Sequence, residues 1–411
     1  MVSYEEVLEI LAREAQERAV GLAAERVAIT NAVGRVVWSD VRAEQAVPKR
    51  NRVVYDGFAL TAALTEQATS AEPVQFRIVG SDSPNEEMLH LPVAFPVKGG
   101  EFLESDQCDA VVAENEAEIS ESTIAVRLPL RVGAGVRLVG SELIIEEVVV
   151  PKGESFSVAD VMVASVAGVQ EVDVCPRLTL GLVVVGDEPV SLLTLYSSVV
   201  GLIAGDVGVV LSEIARCGEG ADEVSAQIER LLGLELDCIL VVSAASEPVR
   251  RAVEANGLWV LFDSLSMSPL KEAFFGSFRG RRSVLFSFSA PVISFAASLR
   301  FLLVPYLSRV AGCRQRAAVK ATLAHMVEGY GDGGAIRLGQ LVARRGEFSV
   351  NVFSDTDPFS SVPLLRASCW VQLPAGRALL DRGDLVDVES LLPDFSQRSQ
   401  IRSPEGADRS D

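Results

Sequence analysis

Two acidic loops are the first candidates for chemistry in this chain. One contains Asp56 in the run Tyr55-Asp56-Gly57-Phe58-Ala59, and the other, Gly186-Asp187-Glu188, directly follows an apolar stretch. Carboxylate oxygens are the ligands that a hard cation such as Mg2+ prefers, and carboxylates also serve as general acids and bases. Taken singly, each acid is more typical of a solvated loop carboxylate or a helix cap than of a metal ligand, because acidic residues after strands are common.

Histidine and cysteine offer little alternative chemistry. His90 and His325 are the only histidines, so a Ser-His-Asp triad is not favoured. The six cysteines contain no Cys-x-x-Cys pair, and the sequence therefore predicts reduced, mostly buried thiols rather than a zinc site or a disulfide framework. Carboxylates must carry any chemistry.

Composition limits the class of protein. With 411 residues, 49% of them hydrophobic, the chain is long enough for several domain cores. The net charge of −19 disfavours nucleic acid as a partner, because binding to phosphates needs a basic face. The first six residues lack the basic and apolar regions of a signal peptide, and no transmembrane segment is predicted, so we expect a cytoplasmic protein.

The first part of the chain combines helical and β patterns. Ser3 and Glu6 form a capping-box pattern ahead of apolar residues at helical spacing, which predicts an opening amphipathic helix. Short β-branched runs between turn residues then predict a small inserted β domain. These runs are Val74–Val79, Ala110–Ala113 and Ile124–Leu130. A helical segment, Val158–Ala167, indicates that the chain returns to its first domain.

From Leu178 to about Cys313, strand-like runs alternate with helical patterns. The strand-like runs are Leu180–Val185, Cys238–Val242, Leu258–Phe262 and Val284–Phe288, and the helical ones are Asp222–Leu232 and Pro291–Leu307. Such apolar runs are typical of parallel strands covered on both faces, and they predict a doubly wound α/β domain. Ligands of such sheets bind beyond the carboxyl ends of the strands, where Asp187, Glu188 and Ser243 fall.

The last part of the chain predicts a β domain and a tail. Its strand-like runs are Val319–Val327, Gln340–Arg345, Phe348–Phe353 and Cys369–Leu373. The fold class is therefore multidomain α/β plus β. We predict a discontinuous helical domain (1–45 and 144–175), an inserted β domain (46–143), an α/β domain (176–315), a C-terminal β domain (316–396) and a disordered tail (397–411).

Several of these runs resemble motifs of one family. The run around Asp56 resembles the Met-Asp-Gly-Tyr-Ala signature of the molybdopterin molybdenumtransferase family, which includes MoeA and the gephyrin E domain. The Gly-Asp-Glu loop resembles the Thr-Gly-Asp-Glu-Leu of that family. Three further runs resemble it in the same order along the chain: Cys108–Val112, Pro151–Val174 and Ser360–Cys369. The resemblance implies the family's domain order, including a molybdopterin-binding-like α/β domain, and a homodimer.

The resemblance also implies a reaction and a site. Members of the family insert molybdate into adenylated molybdopterin with Mg2+ and release AMP, as a step of molybdenum-cofactor biosynthesis. Asp56 and Glu188 stand at matching positions, Asp187 flanks the latter, and Glu142 could replace an aspartate of the family's Gly-Glu-Asp-Ile. The metal ligands implied are Asp56, Glu142 and Glu188. The catalytic residues implied are Asp56, Asp187, Glu188 and Lys271, and those near the molybdopterin or its phosphate are Ser243, Lys271 and Ser361.

Three loops depart from the family pattern. The Ser-Gly-Gly-Val-Ser loop aligns with a run that begins Ser243-Ala244-Ala245, and the Lys-Pro-Gly-Lys-Pro loop aligns with Ser268–Glu272. The Gly-Leu-Pro-Gly-Asn-Pro loop aligns with Phe286–Pro291. Alanine reaches positive φ only at a cost, and its methyl group obstructs the approach of an anion to the backbone. Each lost contact is expected to cost about 1–3 kcal/mol of binding.

Two hypotheses follow from these observations. The first is an active molybdopterin molybdenumtransferase. The second is a binding protein of gephyrin-like type, a homodimeric scaffold that has lost catalysis and binds a protein partner at the dimer or at the C-terminal domain. The sequence leaves both open, and a fold shared with a family does not by itself assign an activity.

Overall fold

The computed structural model describes residues 1–80, 92–103, 108–186, 190–206, 208–314, 318–344, 347–354 and 360–391. Two compact units divide the chain: unit 1 is Met1–Ser39, Pro151–Val158 and Glu171–Asp411, and unit 2 is Asp40–Val150 and Ala159–Gln170. The five-part domain division stays a prediction. The predicted disordered tail, 397–411, lies outside the described residues.

Helix α1 (Tyr4–Ala19) opens unit 1 at the predicted capping box. The Ser3 hydroxyl accepts the N–H of Glu6 at 3.2 Å, and the N–H of Ser3 donates to the Glu6 carboxylate at 2.9 Å. The buried face of α1 joins the same core as the last helix of the α/β sheet, described below. Strand β1 (Glu25–Ala28) follows.

Unit 2 is built on a six-stranded sheet. Its strands, in chain order, are β2 (Val41–Arg42), β3 (Arg52–Val53), β4 (Gly57–Leu60), β5 (Val74–Ile78), β6 (Val93–Val97), β7 (Ala110–Ala113), β8 (Glu118–Ile119), β9 (Thr123–Val126), β10 (Val136–Arg137) and β11 (Val148–Val150). The sheet has the order β7-β4-β6-β5-β9-β8, and β3 pairs with β10 and β2 with β11. The three predicted runs are therefore strands β5, β7 and β9. Helix α2 (Val158–Val166) follows, as predicted.

A second six-stranded sheet forms the centre of unit 1. The elements are β12 (Glu171–Val174), β13 (Leu178–Val185), α3 (Val190–Asp206), β14 (Val209–Cys217), α4 (Ala221–Leu232), β15 (Cys238–Ser243), α5 (Ser246–Ala255), β16 (Leu258–Phe262), β17 (Phe274–Phe278), β18 (Val284–Ser289), α6 (Val292–Ser298), a π-helical stretch (Leu299–Leu303) and α7 (Val304–Val310). The strand order is β14-β13-β15-β18-β17-β16, and β12 pairs with β1 outside this sheet.

The sheet carries helices on both faces, which confirms the doubly wound architecture. Leu180, Leu182 and Val184 of β13 pack in one core with α1, α3, α6 and α7. Val183 and Val185, which point the other way, pack in a second core with α4 and α5. This alternation explains the uninterrupted apolar run, because both faces of a central strand are covered.

One strand prediction was wrong in orientation. Leu258–Phe262 was predicted as a parallel strand, but β16 lies at the sheet edge and pairs antiparallel with β17. Trp259 and Val260 are exposed there. Strand β17 and the opposite edge strand β14 match none of the predicted runs. Ser212, Glu213 and Arg216 interrupt the half-exposed β14, and Gly276 and Ser277 interrupt β17, so neither is a continuous apolar run.

The helix that runs from Val292 to Val310 is long and apolar enough to cross a membrane by length and composition, with a mean hydropathy of 1.3. Within its most apolar window, however, 72% of the residues are buried inside unit 1. Burial of this extent is typical of a core helix.

The last described part of unit 1 contains a closed β-barrel. Its region comprises β19 (Val319–Leu323), β20 (Val327–Glu328), β21 (Ala335–Arg344), β22 (Glu347–Val352), β23 (Cys369–Leu373), β24 (Leu379–Leu380) and β25 (Leu385–Ser390). The barrel order is β19-β22-β21-β23-β25, and β20 pairs with β24. Short 3-10 helices lie at Ile29–Asn31, Ala62–Thr65, Gly331–Gly333 and Val362–Leu365. The fold class, α/β plus β, is confirmed.

Substitution of Gly57 tests how tightly β4 packs in the sheet of unit 2. A Cβ atom at this position would overlap the carbonyl oxygen of Val112 on β7. We expect Gly57→Ala to destabilise the sheet by about 1–3 kcal/mol, because a packed strand cannot make room for a methyl group. Hydrogen exchange of peptides covering β4 measures the change. Gly80→Ala, where nothing lies within 4 Å of the added atom, is the matched control and should leave exchange unchanged.

Candidate functional site

A cavity of about 640 Å3 lies in unit 1 beyond the carboxyl ends of β15 and β18. Its lining comes from both of those strand ends, the loop between β16 and β17, the start of α6 and the start of β21. The lining residues are Tyr196, Ala244, Ser268, Pro269, Lys271, Glu272, Ser289, Ala290, Pro291, Val292, Ile293, Ser294, Tyr330, Ala335, Ile336 and Arg337. The volume is within the usual range for a small-molecule site.

Strand register brings two of the three altered loops together. Ser243 at the end of β15 is the partner of Ser289 at the end of β18, and the N–H of Ala290 donates to the Ser243 carbonyl at 3.0 Å. Ala244 and Ser289 therefore open into the same cavity. Parallel strands end at one edge, so the position of this site follows from the sheet topology.

The third altered loop is joined to the barrel. Ser268 forms an isolated bridge with Ala335, and the N–H of Ile336 donates to the Ser268 carbonyl at 2.8 Å. This contact brings the start of β21 to the cavity, and with it Arg337. The three loops that depart from the family pattern therefore contribute to one cavity.

Two cations lie at one end of the cavity. The Lys271 ammonium and the Arg337 guanidinium carbon are each 5.7 Å from the centre of the Tyr330 ring. In the part of the chain that the structure describes, neither cation forms a salt bridge. The Arg337 Nε is buried and has no hydrogen-bond partner there. We call Lys271, Arg337 and Tyr330 the cationic end.

A carboxylate lies elsewhere in the same lining. Glu272 follows Lys271 in sequence, and its Oε2 accepts the Ser289 hydroxyl at 3.0 Å. We call Glu272 and Ser289 the acceptor end. The cavity therefore presents cations to an anion and a carboxylate to a hydrogen-bond donor.

The wall under the β18 end is fixed by Tyr196. Its hydroxyl donates to the Ala290 carbonyl at 2.7 Å, and its ring packs edge-on against Phe295 with centroids 4.7 Å apart. Tyr196 is 1% exposed. This buried contact holds the segment that carries Ser289 and Ala290.

The candidate residues of unit 1 have different outcomes. Lys271 lines the cavity, and its assignment as a catalytic and ligand-binding residue stays a prediction. The Ser243 hydroxyl points to its own loop, where it donates to the Ala245 carbonyl at 2.7 Å, and Ser243 is absent from the lining. Ser361 is exposed beside a 3-10 helix and is also absent from it. Asp187 and Glu188 lie outside the described residues.

The candidate acids of unit 2 each have a local partner. Asp56 Oδ1 accepts the N–H of Gly99 at 2.7 Å, and Asp56 lines an open pocket with Glu114 and Glu116. Glu142 pairs with Arg137 at 2.8 Å. Across the described ranges, no three His, Cys, Asp or Glu side chains are grouped to hold a metal ion. The metal assignment of Asp56, Glu142 and Glu188 stays a prediction.

All six cysteines lie in the described part of the chain, where none forms a disulfide, and four of the six are buried. Burial raises the pKa of Cys175 to about 11, so this thiol is protonated near neutral pH. Burial also raises the pKa values of Cys217 and Cys369. A thiolate nucleophile at these positions is therefore disfavoured.

Sequence reasoning missed Arg337 and Tyr330. Both come from the β domain, far along the chain from Lys271, and neither lies in a motif that resembles the family. The only available signal was the position of Arg337 near the start of a strand, which is too common to indicate a site.

Comparisons with known proteins agree with this architecture. Residues 2–168 match a family model described as the MoeA N-terminal region (domain I and II). The chain is 25% identical over 411 residues to a molybdopterin molybdenumtransferase of Synechococcus elongatus, which covers 95% of this chain and 100% of that protein. It is 24% identical over 163 residues, 39% of each chain, to an enzyme of the same name from Staphylococcus epidermidis.

A solved structure supports the fold over nearly the same length. The molybdopterin biosynthesis MoeA protein of Pyrococcus horikoshii OT3 superimposes with a TM-score of 0.75 at 20% identity and covers 94% of this chain and 99% of that one. At this identity the likeness concerns the fold.

Substitution of Tyr196 tests whether its hydrogen bond to Ala290 stabilises the cavity wall. We expect Tyr196→Phe to destabilise unit 1 by about 1–3 kcal/mol, because the buried Ala290 carbonyl loses its donor. Chemical unfolding followed by circular dichroism gives the change. Tyr330→Phe, which removes a hydroxyl from the same cavity at a half-exposed ring, should leave the unfolding midpoint unchanged. Equal effects of the two substitutions would contradict this account of the wall.

Proposed function

Because the chain belongs to the MoeA family, we propose that it acts in molybdenum-cofactor biosynthesis and binds a molybdopterin-type anion in the cavity of unit 1. The observation that carries this proposal is the convergence of Lys271 and Arg337 on Tyr330. Neither cation has a carboxylate partner among the described residues, so both are available to phosphate or molybdate oxygens. The predicted cytoplasmic location is part of the same proposal.

In this proposal the family reaction is slow or lost. The lining carries Ala244 and Ser289, and Ser268 where a lysine is expected. Glu272 adds a negative charge close to any bound polyphosphate. Fewer backbone N–H groups and fewer cations would then meet the charge that develops on the transferred and leaving groups. The combined loss is large against the roughly 8–23 kcal/mol by which enzymes lower barriers.

Magnesium belongs to the same proposal. The residues that would hold it are Asp56, Glu142 and Glu188, with Asp187 beside the last. When bound, the ion would neutralise charge on phosphate oxygens, which is how Mg2+ commonly serves with one or two carboxylates. Asp56 Oδ2, which accepts no hydrogen bond from the described residues, and the neighbouring Glu114 and Glu116 support an oxygen-rich surface in unit 2.

A second candidate function, a homodimeric scaffold, is favoured by helix α2. Ala159, Met162, Val163 and Val166 are spaced to form one apolar stripe, and all four are exposed in unit 2. Met162 is 68% exposed and Val166 57%. An apolar stripe of this kind is typical of an interface, and we propose that a second copy of the chain covers it. A protein partner would then bind at the dimer or at the C-terminal domain.

The altered cradle can be tested by restoration. A variant that combines Ala244→Gly, Ala245→Gly, Ser289→Gly and Ser268→Lys should show measurable binding of adenylated molybdopterin. The glycines make the backbone less obstructed, and the lysine restores the missing positive charge. Isothermal titration with molybdopterin and its adenylate is the measurement. Wild type should bind molybdopterin but not the adenylate at concentrations that saturate an active relative.

Ser122→Lys, which adds the same charge on an exposed turn of unit 2, controls for a general electrostatic effect and should not restore binding. Molybdate insertion by wild type at a rate comparable to that of an active relative would overturn the slow-reaction proposal.

The dimer can be tested at α2. Met162→Asp combined with Val166→Asp should convert the dimer to a single chain of 43.9 kDa, because two charges cannot be buried unpaired in an apolar interface. Light scattering gives the mass. Ser165→Asp, on the same helix but outside the stripe, is the control. A wild-type mass already near 43.9 kDa would refute the dimer.

A further inference from the structure

The cavity of unit 1 separates its charges, although Lys271 and Glu272 are adjacent in sequence. Lys271 lies on the Tyr330 ring, and Glu272 lies on the Ser289 hydroxyl. No ion pair joins them within 4.0 Å, and Arg337 likewise forms none in the described chain. A cavity lined by cations alone would favour the ligand with the most negative charge. This cavity also contains a carboxylate, which favours a ligand with hydrogen-bond donors.

The Glu272 carboxylate at the acceptor end can accept further hydrogen bonds. Glu272 Oε2 takes the Ser289 hydroxyl, and Oε1 receives no hydrogen bond from the described residues. A carboxylate that is held on one side by a hydroxyl is oriented to accept two parallel N–H groups from a ligand. The amino-pyrimidinone edge of a pterin or a guanine presents such a pair of donors.

The cationic end has the complementary preference. Lys271 and Arg337 supply two positive charges, and both lie close to the aromatic ring of Tyr330. Two cations match the charge of one phosphate monoester near neutral pH. A second or third phosphate would bring further negative charge into a cavity that already contains Glu272, and no described residue other than Lys271 and Arg337 adds a cation to its lining.

We infer that Glu272 is a specificity-determining residue, and that the cavity selects an aminopyrimidinone heterocycle carrying a single phosphate over the same heterocycle carrying a longer phosphate chain. The inference rests on the proposed function and deepens it. Glu272 accepts the N–H edge of the ring, while Lys271 and Arg337 bind the phosphate. The non-adenylated form of the family's pterin belongs to this class of ligand.

Glu272→Gln tests the inference, because it keeps the shape of the side chain and removes its charge. The probes are a pterin monophosphate, the matching pterin triphosphate, and the monophosphate of the 2-oxo analogue (a lumazine), which lacks the amino donor. For wild type we expect the order pterin monophosphate, then lumazine monophosphate, then pterin triphosphate, measured by titration at fixed ionic strength.

The substitution should weaken pterin monophosphate binding by about tenfold, since charge-assisted hydrogen bonds are lost. Pterin triphosphate binding should change by less than about threefold, because the same ring contacts are lost while the repulsion between Glu272 and the longer phosphate chain is removed, and the two effects oppose each other. Lumazine monophosphate should change little. Glu254→Gln, an exposed site on α5 with the same charge change, should leave all three affinities as in wild type.

The outcomes separate the two proposals. If wild type binds the pterin monophosphate and Glu272→Gln shifts all three affinities equally, the specificity role is refuted while the binding function stands. If wild type binds neither the pterin phosphates nor molybdopterin, the proposed function fails together with the inference. A loss of about tenfold for pterin monophosphate, with changes below about threefold for the triphosphate and the lumazine and an unchanged unfolding midpoint, would support the role of Glu272.

Discussion

One backbone contact completes the cavity of unit 1. The N–H of Ile336 donates to the Ser268 carbonyl at 2.8 Å, and so joins β21 of the barrel to the loop between β16 and β17. Arg337 follows Ile336 directly, so this bond fixes where its guanidinium lies. Without the joint, the loop would carry a single lysine at the sheet edge, and the cavity would have no cationic end. The site depends on barrel and sheet together.

The charge of the whole chain makes the local geometry decisive. At −19 the protein repels anions at a distance, but ions screen this repulsion beyond about 8–10 Å. An anion that reaches the cavity therefore responds mainly to the groups that line it. In our proposal, Lys271 and Arg337 favour its binding, and Glu272 opposes additional phosphate. Small changes in the lining thus alter selectivity more than the net charge suggests.

Sequence patterns predicted the elements whose surroundings are uniform. Strands β13, β15 and β18 are covered on both faces and read as continuous apolar runs, so they were identified with nearly their observed bounds. Edge strands have mixed surroundings. For this reason the edge strand β14 was missed, and β16, at the other edge, was given a parallel neighbour that it does not have. Strand β17 lies inside the sheet, and it was missed because Gly276 and Ser277 interrupt its apolar run.

The candidate site, like the fold, could be predicted from the sequence only in part. Strand ends that share an edge can be inferred from topology, and the three altered loops indeed meet in one cavity. The contribution of Arg337 could not be inferred, because it depends on how a barrel docks against a loop, which no local pattern encodes. The direction of the Ser243 hydroxyl depends on the geometry of the turn that follows it, which the sequence does not indicate either.

Core residues and loop residues have separate roles in this structure, so the fold can be kept while the family reaction is lost. Phe286 and Phe288 of β18 are buried among aromatic neighbours, so their replacement would leave cavities that destabilise the whole sheet. Ser289, at the end of the same strand, instead faces the cavity and bonds to Glu272. A substitution there changes what the ligand meets and leaves the packing intact. Residues at strand ends can therefore change the chemistry of the cavity while the sheet that positions them stays the same.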